Sequence, residues 1–107
     1  MNNSFYKRKA WRTKRVNILK RDNYECQECK RYGKSIDATT VHHIYPYQEY
    51  PSLALESDNL VSLCCKCHEL MHDRSTQEVT ALGKAWQTRA DKKLKTKEDK
   101  KVEDEKF

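Results

Sequence analysis

Glycine and proline are scarce, with two of each in 107 residues. That excludes collagen-like repeats and Gly/Ser-linker character. Apolar residues are also few, at 36%, against 36% charged residues, so a large hydrophobic core is excluded and the length allows one domain. No apolar run reaches twelve residues, so neither a membrane-spanning helix nor the apolar core of an export signal is expected. Acidic residues are missing from the first 21 positions, which hold eight basic ones: Lys7, Arg8, Lys9, Arg12, Lys14, Arg15, Lys20 and Arg21. With the whole chain at +6, the remainder carries −2. A basic arm on a near-neutral body is the footprint of a polyanion binder, and Phe5, Tyr6 and Trp11 beside it could stack on bases or simply pack. The plainer alternative is a solvated basic helix face.

A chain this poor in core needs a staple. Five cysteines are present, an odd number that argues against a disulfide framework. Cys26-x-x-Cys29 and Cys64-x-x-Cys67 have the spacing of two metal knuckles that together can hold one tetrahedral zinc ion. Redox dithiols are the alternative, but no thioredoxin-like βαβ unit is visible. Cys65 is left over and should point away from the metal. A site closed by four thiolates has no open position, so this zinc should be structural.

The coarse organisation follows from periodicity. Residues 8–21 read as a helix with Trp11, Arg15, Ile18 and Leu19 on one stripe, stopped by Asp22 and Asn23. Residues 38–44 read as a strand, and Pro46 and Pro51 bracket a loop reaching about residue 57. Residues 59–63 form a second extended piece. A helix is expected over 64–73 and another over 76–94, the latter with Val79, Leu82 and Trp86 on its apolar face and Gly83 against it. From 91 to 107 almost every residue is charged, which suggests a frayed helix or a disordered tail. The segments are therefore a basic arm and helix over 1–22, a core over 23–75, and a C-terminal helix with charged tail over 76–107.

All four histidines lie between or beside the cysteine pairs. On the expected helix His68 and His72 are four apart and share a face. His42 and His43 are adjacent on a strand and must point to opposite sides. One of those two can join His68 and His72 on a metal, leaving the other free to act as a base. Four ordinary surface histidines is the plainer alternative.

The string Cys26-x-x-Cys29, Val41-His42-His43-Ile44, Asp58-Asn59-Leu60, Leu63-Cys64-x-x-Cys67-His68-x-x-x-His72 resembles the HNH endonucleases, and more narrowly the small phage and prophage proteins with a four-cysteine zinc site. The resemblance implies a small α+β fold, a zinc-stapled ββα-metal core with flanking helices. It implies His43 as general base, Asn59 as the brace of the loop that holds the base strand, and His68 as the last histidine of the motif. His42 stands where many relatives have Asp, so a divalent ion would be held by His42, His68 and His72, a set that suits Ni²⁺, Zn²⁺, Co²⁺ or Mn²⁺ better than Mg²⁺, without excluding Mg²⁺. Arg74 is a weaker candidate for charge stabilisation. The implied activity is metal-dependent hydrolysis of DNA phosphodiester bonds, leaving 5′-phosphate and 3′-hydroxyl ends. Low sequence specificity is expected, with Lys7, Arg8, Lys9, Arg12, Lys14 and Arg15 on the backbone of double-stranded DNA. The same resemblance implies phage DNA processing or packaging beside terminase and portal proteins, in the cytoplasm of a bacterial host, by a monomer or weak dimer. The competing readings are a zinc-ribbon nucleic-acid-binding module without activity and a packaging adaptor.

Overall fold

The computed structural model describes the backbone of residues 4–106 and the side chains of residues 5–94. The charged tail anticipated over 91–107 therefore lies, for its side chains beyond 94 and for Phe107, outside the described residues. The centre of the fold is a two-stranded antiparallel sheet, β1 (Thr40–His43) and β2 (Leu60–Leu63). Its register pairs Thr40 with Leu63, Val41 with Ser62, His42 with Val61 and His43 with Leu60. Successive side chains alternate between faces, so each face buries a small core of its own. On one face Val41 and Leu60 pack with Phe5, Trp11, Ile18, Leu19 and Ala54. On the other, Val61, Leu63 and Ile44 pack with Cys26, Cys67, Met71 and Ala90. This small α+β arrangement is the expected one.

Two helices cover the first face: α1 (Ser4–Lys7), not foreseen from the sequence, and α2 (Lys9–Arg21). α2 buries Trp11, Ile18 and Leu19 and ends where Asn23 and Tyr24 take left-handed conformations (φ 61° and 57°). Its last turn also closes the open edge of β2. Arg21 donates from Nη2 to the Leu60 carbonyl (2.8 Å) and from Nη1 to that of Ser57 (2.9 Å), while Asp22 accepts from the Ser62 amide (3.0 Å). The two side chains pair with each other (2.8 Å). An edge strand that would otherwise present bare backbone groups is thereby sealed.

The second face is covered by α3 (Gln27–Arg31), α4 (Cys65–Glu69) and α5 (Ala81–Lys106). Two expectations are corrected here. The helix expected over 64–73 stops at Glu69, and the one expected over 76–94 begins only at Ala81. Between them the chain folds into a narrow ribbon. The Thr80 amide bonds the Met71 carbonyl (3.0 Å), the Asp73 amide bonds the Glu78 carbonyl (2.8 Å), and His72 bridges Val79. The cause is long-range: Met71, fully buried, is drawn into the second core, and the Thr80 side chain captures the carbonyls that a longer α4 would have used. Among the described residues no helix is long and apolar enough to cross a membrane.

Candidate active site and metal centres

Folding brings the two cysteine pairs together. The pair ahead of the sheet opens α3, with Cys26 as its N-cap, its sulfur accepting from the Cys29 amide (3.5 Å). The other opens α4, with Cys64 as N-cap. Their four sulfurs lie within 4.8 Å of one another, the one such group of three or more converging ligand atoms among the described residues. Cys29 Sγ is 3.9 Å from Cys64 Sγ and 3.7 Å from Cys67 Sγ. A tetrahedral zinc with bonds of about 2.3 Å separates its sulfurs by about 3.8 Å, so the spacing fits that ion and is far too long for a disulfide. None of the five cysteines is disulfide-bonded. Burial pushes the Cys67 thiol well up, as crowded neutral thiols require, whereas hydrogen bonds from the neighbouring cysteines outweigh burial and hold Cys64 below its ordinary value. A bound cation is what would let all four ionise together. Cys65 is exposed and donates to Glu69 Oε2 (3.2 Å), pointing away from this group as expected.

All four histidines line one cleft of about 310 Å³, together with Tyr6 and Tyr47. His42 is buried, and its ring centroid lies 5.2 Å from that of His68 and 5.8 Å from that of His72. The three imidazoles therefore come together, but not by the route the spacing suggested: His68 stands on α4, while His72 arrives from the ribbon beyond it. Their donors are more loosely set than the four sulfurs. Burial, with three other histidines nearby, pushes His42 down to about 3, and burial also lowers His68. Both are neutral at pH 7, the form in which an imidazole binds metal. Three imidazoles facing one cleft, His42 and His68 held neutral by burial, are a donor set suited to a borderline divalent ion.

His43 points to the other face of β1. Its ring stacks on Trp11 (centroids 4.9 Å apart, 22° between planes), and its Nε2 lies 2.9 Å from the Ala54 carbonyl oxygen. A carbonyl can only accept, so Nε2 carries the proton and Nδ1 of the neutral ring is the basic atom. Burial lowers its pKa, partly offset by the Ala54 contact. A neutral, oriented imidazole at the edge of a cleft is equipped to take a proton.

Asn59 is fully buried in the 3₁₀ turn Ser57–Asn59 that precedes β2. Its Oδ1 accepts from the Tyr45 amide (2.8 Å), and its Nδ2 donates to the carbonyls of Tyr45 and Leu53 (both 3.1 Å). The side chain ties both ends of the 44–59 loop together, one residue before the carbonyl that orients His43.

The basic arm divides. Lys7, Arg8, Lys9 and Arg12 are exposed. Lys14 donates to Ser57 Oγ (2.6 Å) and Arg15 to the Thr39 carbonyl (3.2 Å), so both also fasten α2 to the sheet region. Arg74 is exposed. The aromatic residues of the arm serve a purpose that periodicity could not reveal. Phe5 stacks on Tyr47 at 4.3 Å, and with Trp11 these rings wall in His43. For Phe5 the sole sequence signal was its presence beside a basic segment; Trp11 was also marked by its place on the apolar stripe of α2.

The HNH endonuclease family model matches residues 26–74. Among solved structures, the HNH endonuclease of the deep-sea thermophilic bacteriophage GVE2, crystallised with a manganese ion, is 41% identical, with a TM-score of 0.60 over 62% of this chain and 72% of its own. No curated protein matches the chain.

Proposed function

The chain belongs to the HNH endonuclease family and is a nuclease of that family; from that premise we propose that it hydrolyses DNA phosphodiester bonds with His43 as general base and one divalent ion held by His42, His68 and His72. The observation that carries this reading is the division of labour across β1. One face presents a neutral imidazole with a free Nδ1, and the other presents three imidazoles clustered on the same cleft.

His43 Nδ1 takes the proton from the attacking water, and the Ala54 carbonyl keeps Nε2–H in place so that the ring cannot present the wrong atom. Trp11 fixes the plane of the ring, and Asn59 braces the loop that carries Ala54. His42, His68 and His72 would hold the divalent ion, which would supply charge relief for the developing negative charge of phosphodiester cleavage. The four-cysteine site holds structural zinc and stays outside the chemistry. Backbone contacts come from the exposed Lys7, Arg8, Lys9 and Arg12, with Lys14 and Arg15 contributing from the inner face of α2. These contacts do not read sequence, so cleavage has low specificity. Likeness to a phage enzyme supports a place in phage DNA processing; terminase and portal proteins are proposed as partners on the family resemblance of the sequence alone.

The test is relaxation of supercoiled plasmid by protein that keeps its zinc but is stripped of exchangeable metal. Mg²⁺, Mn²⁺, Ni²⁺, Co²⁺ or Zn²⁺ is then added back. Cleavage that returns with an added ion and leaves 5′-phosphate ends is the expected result. No cleavage with any ion, from zinc-replete protein that binds DNA, would favour a binding module instead.

A further inference from the structure

His72 is not on the helix that carries His68, so something other than α4 sets its distance from the other two histidines. The ribbon bearing it is seated against the first turn of α5. Thr80 caps that turn, its Oγ1 accepting from the Gly83 amide (3.1 Å). The same hydroxyl reaches back to the carbonyls of Leu70 (2.6 Å) and Met71 (3.1 Å). Gly83 is buried, and a Cβ there would stand 2.6 Å from both the Met71 carbonyl oxygen and Val79 Cγ1. Met71 immediately precedes His72, and Val79 is its bridge partner. Gly83 thus packs against both limbs of the ribbon, at the residue before His72 and at the residue paired across from it, at a place where no larger residue than glycine fits.

We propose that Gly83 and Thr80 are positioning residues for His72. The start of α5, outside the segment matched by the family model, acts as the stop that determines how closely His72 approaches His42 and His68. This rests on the three-histidine reading above. Adding a methyl group at Gly83 must push Met71 and Val79 outward. Met71 is fully buried and cannot follow freely, so the displacement falls on the ribbon and on His72. Removing the Thr80 hydroxyl frees the Leu70 carbonyl and the Gly83 amide, leaves the Met71 carbonyl with the Thr80 amide alone, and loosens the same seat.

Mn²⁺ affinity of the zinc-replete full chain, measured by titration calorimetry or by the EPR signal of free Mn²⁺, provides the test for Gly83→Ala, Thr80→Val, His72→Ala and the two double variants. Loss of an outer partner of a metal ligand costs about 10–100-fold in affinity, so Gly83→Ala should bind Mn²⁺ at least about tenfold more weakly. In the His72→Ala background the same change should cost nothing further, because the ligand it displaces is gone. Thr80→Val should show the same coupling with a smaller loss. If Gly83→Ala does not retain zinc, Thr80→Val alone decides. Gly83→Ala and Thr80→Val at parent affinity while His72→Ala binds weakly would overturn this inference alone, as would equal losses in both backgrounds. His72→Ala at parent affinity would remove the three-histidine site itself and this inference with it.

Discussion

Replacing Asn59 by alanine removes a side chain that is fully buried and makes three hydrogen bonds. The amide and carbonyl of Tyr45 and the carbonyl of Leu53 all lose their partner. A net hydrogen bond contributes about 1 kcal/mol, and a buried group left unpaired costs about 1–3 kcal/mol. Tyr45 and Leu53 are only half-buried, so water can reach part of the vacated backbone and the lower end applies. The expected loss is about 2–4 kcal/mol. At about 4–8 °C per kcal/mol for a domain of this size, the melting temperature should fall by about 8–32 °C. Ser62 is an internal control: it is equally buried, but its hydroxyl sits 3.5 Å from the Ile18 carbonyl, so Ser62→Ala should cost under about 1 kcal/mol. The assay is thermal unfolding at fixed zinc, followed by plasmid cleavage well below the variant's melting point. Cleavage should remain impaired there, because the Ala54 carbonyl orienting His43 lies in the loosened loop. An Asn59→Ala protein that melts within about 2 °C of its parent and cleaves at the parent rate would refute the bracing role.

Three further outcomes are expected. Cys26→Ser, at a fully buried position, should lower zinc content below one per chain and unfold the protein; a variant that melts like the parent without zinc would contradict the staple. His42, held down at about 3 in the fold against 6.5 unfolded, contributes stability that is fully present above pH 6.5 and is lost as pH falls from 6.5 toward 3. Its replacement by glutamine should therefore flatten the acid side of the stability profile of Mn²⁺-free protein, which an unchanged slope would contradict. Replacing the exposed Arg8, Lys9 and Arg12 with glutamine should weaken binding to unrelated duplexes alike. It should also reduce the slope of log affinity against log salt by up to roughly 0.9 per lost phosphate contact, and an unchanged slope would place the duplex elsewhere.

Local signals carried much of this site. The two CxxC pairs foretold the sulfur cluster because metal-knuckle spacing is short-range. Alternation along β1 foretold that His42 and His43 would serve opposite faces. What stayed hidden depends on contacts between residues distant in sequence. The His68–His72 spacing reads as one helical face, yet Thr80 and the buried Met71 pull the chain out of helix after Glu69. The imidazoles still cluster, on a different support. The seal on β2 by Arg21 and Asp22 joins residues about 40 positions apart. Lys14 and Arg15, read as DNA-backbone contacts of the arm, find partners at Ser57 and Thr39 that no periodicity specifies. Trp11 was legible as a buried position of α2 but not as the plate under the His43 ring.

The most direct test of the central claim is cleavage by His43→Ala at matched zinc content, matched Mn²⁺ occupancy and matched DNA binding. The substitution removes the proposed proton acceptor while leaving His42, His68 and His72 in place. Loss of cleavage by at least about 100-fold, with both metals and DNA still bound, is the expected result. Cleavage near the parent rate, with His42→Ala inactive instead, would contradict it and move the base to the other face of β1.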